Sequence, residues 1–244
     1  MIHSHLSHWI SFRNSSVSTS ATVKIWNLFW YQSHRILLFK IRECPNLVSL
    51  SNKRLPAPNM NRFLISKCNK LKSLPREMNI LLPKLEYFRL ENCPEIESFP
   101  ENGMPPKLRS IRIINCKKLL TGLSWPSMNM LTDVTIQGPC YRIKYFPKEG
   151  LLQASLKSLT LLTFSSLEML DSKGLIHLTS LQQLRIRDCP KLENMVGETL
   201  PASLLNLYII GCPLLKERCH MKDPQVWNKI SHIRDIDVDH KRIS

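Results

Sequence analysis

Apolar residues recur along this chain at a fixed set of offsets, with polar residues filling the places between them. Leu181, Leu184, Ile186, Cys189 and Leu192 fall at offsets 0, 3, 5, 8 and 11. The same offsets return at Ile36, Phe39, Ile41, Cys44, Leu47, at Met60, Phe63, Ile65, Cys68, Leu71, and at Leu85, Phe88, Leu90, Cys93, Ile96. They return again at Leu108, Ile111, Ile113, Cys116, Leu119, at Leu156, Leu159, Leu161, Phe164, Leu167, and at Leu204, Leu207, Ile209, Cys212, Leu215. A degenerate copy at Leu131, Val134 and Ile136 puts Pro139 in the cysteine slot and reaches Ile143 one residue late, so it carries an insertion. The slots at 44, 68, 93, 116, 139, 164, 189 and 212 are 24, 25, 23, 23, 25, 25 and 23 residues apart.

The template L-x-x-L-x-L-x-x-N/C-x-L is that of the leucine-rich repeat. Its L-x-L centre is a short strand that sends alternate residues to opposite faces, and one such strand cannot bury itself. Stacked in parallel, the copies form a quasi-one-dimensional core in which each inward leucine contributes about 1.5–3 kcal/mol. The predicted fold is therefore an α/β leucine-rich repeat solenoid, a right-handed horseshoe with one parallel sheet on its concave face. A second apolar pair follows most slots (Leu47/Leu50, Leu71/Leu74, Ile96/Phe99, Ile143/Phe146, Leu167/Leu170, Leu192/Met195) and is expected to line the convex side. Pro75, Pro100 and Pro147 directly follow such pairs. Proline cannot continue a helix, which predicts mostly irregular, extended or 3₁₀ convex segments.

The repeats span 36–244, about nine copies, with a C-terminal cap at about 216–244. Asp223-Pro224 is a helix start, Gln225 to Ile230 can form a short helix carrying Trp227, and Ile233, Ile236 and Val238 give a last strand with Asp235, Asp237 and Asp239 facing out. Residues 1–35 do not fit the template. They run through a Ser/Thr-rich stretch at 15–22 into Trp26, Phe29, Trp30 and Tyr31, and Val23 and Ile25 alternate out of register. They read as a disordered segment or an improvised cap, or the chain is a fragment of a longer solenoid.

Composition narrows the chemistry. Eight cysteines could suggest a disulfide framework, but Cys44, Cys68, Cys93, Cys116, Cys189 and Cys212 stand in one repeat column, where small, reduced, buried thiols fit best. Phe164 in the same column supports that reading, because neither a metal site nor a disulfide ladder accepts phenylalanine. The basic balance of +15 is spread along the chain without a basic-aromatic run, which disfavours nucleic acid as partner. There is no stretch long and apolar enough for a membrane span and no signal-peptide pattern, so the expected location is intracellular and cytoplasmic. Glycine-rich phosphate loops are absent, and no cofactor is expected in this chain. His3, His5 and His8 lack acids or cysteines at metal spacing; His177, His220, His232 and His240 are dispersed; Glu95 and Glu97 have no opposed acid. Catalysis and metal binding are not expected.

What remains is the outer face of the strands. The column between each strand's two core residues reads Lys40, Leu64, Arg89, Arg112, Thr135, Thr160, Arg185, Tyr208 and Asp237. The next outward column reads Arg42, Ser66, Glu91, Ile114, Gln137, Leu162, Arg187, Ile210 and Asp239. Arginine and tyrosine among exposed aliphatics are favoured at protein interfaces. Lys40, Arg42, Arg89, Arg112, Arg185, Arg187 and Tyr208 are therefore the candidate protein-binding residues.

The strings YFRLENCPEIESFP (87–100), LRIRDCPKLENM (184–195), LPASLLNLYIIGCPLLKERC (200–219) and WNKISHIRDIDVD (227–239) resemble the C-terminal leucine-rich repeats of plant intracellular nucleotide-binding disease resistance proteins of the coiled-coil class. The resemblance covers about 36–244. It implies a segment that senses a pathogen effector or a modified host protein and restrains a neighbouring nucleotide-binding domain. ADP or ATP would belong to that parent protein, since the phosphate loop is absent here. A stand-alone adaptor, decoy or inhibitor, including a ubiquitin-ligase substrate adaptor, is the other reading of the same repeats.

Overall fold

The computed structural model describes residues 28–33, 36–50, 59–100, 103–121 and 125–243. His3, His5 and His8, the Ser/Thr-rich stretch, and Val23, Ile25 and Trp26 lie outside them.

Eleven strands form one sheet. Nine are parallel and come one from each repeat: β2 (Ile36–Arg42), β3 (Arg62–Ser66), β4 (Tyr87–Glu91), β5 (Ser110–Ile114), β6 (Asp133–Gln137), β8 (Ser158–Leu162), β10 (Gln183–Arg187), β12 (Asn206–Ile210) and β13 (Asp235–Val238). Their burial alternates as the template requires, with Leu159, Leu184 and Leu207 sealed in neighbouring repeats. The same inward column carries Phe39, Phe63 and Phe88, whose rings follow one another at centroid distances of 5.5 Å. Both ends turn antiparallel: β1 (Leu28–Ser33) runs against β2, and β14 (Lys241–Arg242) against β13. The sheet thus begins before residue 36 and closes its last parallel strand with a hairpin, two ways of covering edge N–H and C=O groups.

Eight of the nine parallel strands end in the same device, and β6 ends instead at Gly138, with φ 147°. Glu43, Lys67, Asn92, Asn115, Thr163, Asp188 and Asp239 have φ between 49° and 58°, and Gly211 has 64° at the equivalent place. This left-handed residue turns the chain inward, and from most repeats its N–H donates to a carbonyl of the next: Lys67 N to Glu91 O and Asn115 N to Gln137 O, both at 2.8 Å. Asn and Asp tolerate the conformation; Thr163 is β-branched and does so at greater cost.

The slot thiol then donates back to the carbonyl two residues earlier, as Cys93 Sγ to Glu91 O and Cys116 Sγ to Ile114 O, each at 3.4 Å. Cysteine is suited to this slot because it is small and apolar yet carries one weak donor for a carbonyl that would otherwise have a single partner. The insertion shifts the slot by one residue. After β6 the turn is closed by Ile143 N on Cys140 O, as Leu71 N closes on Cys68 O, so buried Cys140 rather than Pro139 takes the turning role.

All eight cysteines are unbridged and buried. Burial pushes the Cys140 and Cys219 thiols up to about 12. Burial and then the neighbouring Cys68 push Cys44 up to about 11. Along the column neighbouring thiols shift one another: Cys189 is pushed up by Cys212 and Cys93 by Cys116, while Cys116 and Cys212 are held down by those same neighbours. Since the folded values of Cys140 and Cys219 lie above the ordinary 9.0, their stabilising contribution is fully present below pH 9 and is lost as pH rises towards 12. Urea midpoints should accordingly fall above pH 9, and Cys140→Ala with Cys219→Ala should make that fall shallower by about 1.4 kcal/mol per pH unit for each thiol removed. An unchanged slope in the double variant would show that these thiols are not what titrates.

The opposite side carries the second apolar pairs. Leu74, Phe99, Phe146, Leu170 and Met195 are buried there, whereas Leu47, Leu50 and Ile143 pack on the core half-buried. The segments are short. A second parallel sheet runs through β7 (Tyr145–Phe146), β9 (Met169–Asp171) and β11 (Asn194–Val196). Elsewhere lie one-turn helices α1 (Met78–Leu81) and α2 (Lys117–Thr121) and the longer α3 (Pro213–His220). Where both sides pair as strands, both advance by about 4.8 Å per repeat, so the solenoid curves least across these repeats.

Helix α4 (Pro224–Ile230) starts at Asp223, whose carboxylate accepts from Gln225 N at 2.9 Å, and buries Val226 and Ile230. It leaves Trp227 half-buried under the Lys222 ammonium, 4.8 Å from the ring. Helix α3 (Pro213–His220) precedes α4 and buries Leu215 and Cys219.

Candidate functional site

The strand register turns the predicted columns into real rows. Lys40, Leu64, Arg89 and Arg112 stand directly opposite one another on successive strands. The row continues through Thr135, Thr160, Arg185, Tyr208 and Asp237. Beside it runs Arg42, Ser66, Glu91, Ile114, Gln137, Leu162, Arg187 and Ile210.

A third row was missed by the sequence reading: Arg62, Tyr87, Ser110, Asp133, Ser158, Gln183, Asn206 and Asp235, two residues before the first. The alternation of a strand already puts it on the same face, which was the available signal. It carries a cation over a ring, with the Arg62 guanidinium 5.5 Å from the Tyr87 centroid.

The candidate residues do not form one patch. Lys40, Arg42, Arg89 and Arg112 belong to the first four parallel strands, β2 to β5, and Arg185, Arg187 and Tyr208 to β10 and β12, with Thr135 and Thr160 between. Across Arg112 to Arg185 that is three strand steps, about 14 Å.

In the later group Arg185 lies over the Tyr208 ring at 4.7 Å, and Arg187 meets Asp188 at 3.2 Å. The Arg187 side chain is 59% exposed, so that ion pair is screened by water and leaves the guanidinium free to reach outward. In the earlier group Arg89 is held: Nη2 donates to Glu91 Oε2 at 2.7 Å, and its side chain is only 28% exposed. The far end of the face is acidic, and Asp239 sits below the ordinary carboxylate range because Lys216 and the Gly211 N–H both donate to it.

Two concavities adjoin these rows. One of about 200 Å³ lies on the sheet face between Lys40, Arg42, Ser66, Lys67, Arg89 and Glu91. The other, about 320 Å³, opens beside the insertion among Lys117, Lys118, Cys140, Tyr141 and Arg142, with the Lys117 ammonium 5.6 Å from the Tyr141 ring. Among the described residues there is no group of three or more His, Cys, Asp or Glu arranged to hold a metal, and no helix is long and apolar enough to cross a membrane.

No family model matches the chain. An Arabidopsis thaliana protein named "Putative disease resistance protein At3g14460" is 34% identical over 187 residues, which is 76% of this chain and 13% of that protein. The solved leucine-rich repeat domain of the type III effector XCV3220 (XopL) aligns with a TM-score of 0.45 at 20% identity, over 75% of this chain and 71% of that one. This chain is a leucine-rich repeat solenoid, and over 76% of its length its sequence is similar to a putative plant disease resistance protein, of which it spans 13%.

Proposed function

We propose that the chain is the recognition segment of a plant intracellular immune receptor, a non-catalytic, cytoplasmic module that binds protein through the outer face of its long sheet. The partner is a pathogen effector or a host protein, together with a nucleotide-binding domain where the segment sits in a longer receptor. ADP or ATP would be held by that domain, not by this chain. The observation that carries the reading is the continuous face of nine in-register strands, on which cations, Tyr208 and partly exposed Leu64, Leu162 and Ile210 replace the uniformly polar surface of a structural sheet.

Leaf cells expressing the chain with a photo-crosslinker at Tyr208 should yield protein adducts that a crosslinker at convex Tyr145 does not. Arg185→Glu with Arg187→Glu should abolish those adducts and leave the circular dichroism spectrum unchanged, because both side chains are exposed. Adducts that survive the double reversal would remove Arg185 and Arg187 from the contact.

The stand-alone adaptor, decoy or inhibitor is favoured by one observation: β1 runs antiparallel along β2 and covers the sheet edge that an isolated solenoid must protect. Sequencing full transcripts separates the two. An upstream in-frame nucleotide-binding domain supports the receptor segment, and a start at Met1 supports the stand-alone protein.

A further inference from the structure

The first four parallel strands carry an arrangement that folding alone does not explain. Arg89 and Arg112 stand opposite one another in register, and like charges so placed destabilise a sheet. Glu91 holds one end of Arg89, yet the Nε donors of both guanidinium groups are buried without an acceptor. Arg112 makes no ion pair within 4.0 Å among the described residues.

Beside them the concavity of about 200 Å³ gathers Lys40, Arg42, Lys67 and Arg89 with Glu91, while Arg42 and Lys67 also meet Glu43 at its edge, at 3.3 and 2.9 Å. Its outer row reads cation, apolar, cation, cation through Lys40, Leu64, Arg89 and Arg112. Five cations, Lys40, Arg42, Lys67, Arg89 and Arg112, thus stand with two acids, Glu43 and Glu91, two buried Nε donors lack acceptors, and the row has an apolar step at Leu64.

We propose that this quadrant binds a short extended acidic segment of a protein partner. One Asp or Glu of that segment bridges Arg89 and Arg112, an apolar residue rests on Leu64, and a second acid faces Lys40 and Arg42. The dimensions agree. Lys40 to Arg112 spans three strand steps, about 14 Å, which four or five extended residues cover. Adjacent strands about 4.8 Å apart let the two oxygens of one carboxylate each take a guanidinium N–H. Leu64 among the cations favours a peptide over a nucleic acid backbone, which would be better served by aromatic platforms along a continuous basic track.

The inference rests on the protein-binding reading of this face and narrows it to one end and one chemistry. Fluorescence anisotropy on the full chain at 150 mM salt tests it, with a labelled peptide bearing Glu-Glu-Leu-Asp-Glu in a Gly/Ser frame and the same peptide with Gln and Asn replacing the acids. The acidic peptide should bind at least about ten-fold tighter than the neutral one. Arg112→Gln should weaken it about ten-fold with an unchanged circular dichroism spectrum, and Arg112→Glu further still, while Arg185→Glu with Arg187→Glu should change it less than about two-fold.

Equal weakening by both sets of variants would reduce the effect to net charge and overturn the proposal. So would displacement of the peptide by an oligothymidylate, equal binding of the neutral peptide, or no binding at about 1 mM. Weakening only by the Arg185 and Arg187 reversals would overturn this quadrant and leave the wider face in place. Tight acidic-peptide binding indifferent to every reversal would remove the face itself.

Discussion

Leu184→Asp should abolish cooperative folding of the solenoid. Leu184 is fully buried in β10, directly between Leu159 and Leu207 of the neighbouring repeats. Losing a buried leucine costs about 2–5 kcal/mol, and a carboxylate placed there without a partner adds several more. Against a total stability of about 5–15 kcal/mol that is enough to open the stack. Because each repeat touches only its neighbours, the break should separate the repeats before β10 from those after it. Urea titration followed by circular dichroism, together with limited proteolysis, reads both effects. The control is Arg185→Glu, one residue away and exposed, which should shift stability by less than about 0.5 kcal/mol. A soluble Leu184→Asp protein with the parent's midpoint would contradict the repeat template itself.

Gly174→Ala should be strongly damaging, although it adds one methyl group, and Gly103→Ala at least as damaging, since a Cβ there would lie 1.7 Å from the Arg76 carbonyl oxygen. A Cβ at Gly174 would lie 2.1 Å from the carbonyl oxygen of Pro147 and 2.8 Å from its carbon, atoms of the preceding repeat's backbone that cannot swing aside. Either the two repeats separate locally or the connection deforms, and the expected cost is about 2–3 kcal/mol. Gly150 provides the contrast. Its φ is +72° but nothing stands within 4 Å of the added carbon, so Gly150→Ala should cost only about 1 kcal/mol of backbone strain. Thermal midpoints of the Gly174 and Gly150 variants measured together decide between the mechanisms. Equal shifts would mean that close approach of the Pro147 backbone is not what keeps position 174 a glycine.

The architecture is legible along the chain, because each repeat writes the same local instruction. Leu-x-Leu alternation specifies a strand with one buried face, and the recurrence of Leu184-Arg185-Ile186 as Leu207-Tyr208-Ile209 specifies the parallel pairing that the register then shows. The core columns, the slot thiols and the helix beginning at Asp223 were equally legible, since each depends on residues within one turn or one strand of one another.

Tertiary structure alone decided what lies between repeats. Strands of two or three residues such as Tyr145–Phe146 are too short to show alternation, so the second sheet could not be read from the chain. Seven left-handed strand ends, at Glu43, Lys67, Asn92, Asn115, Thr163, Asp188 and Asp239, are not glycine; a ladder bond to the next repeat holds the first six, and Asp239 N donates back to Ile209 O. The insertion at 138–140 moved the turn to Cys140 because it is hydrogen bonding, not count, that places the turn. The candidate cations separated into two groups, and Arg62 over Tyr87 joined the earlier one, for the same reason. Which side chains share a neighbourhood depends on how many strands lie between them, and a column read along the chain carries no distance across the sheet.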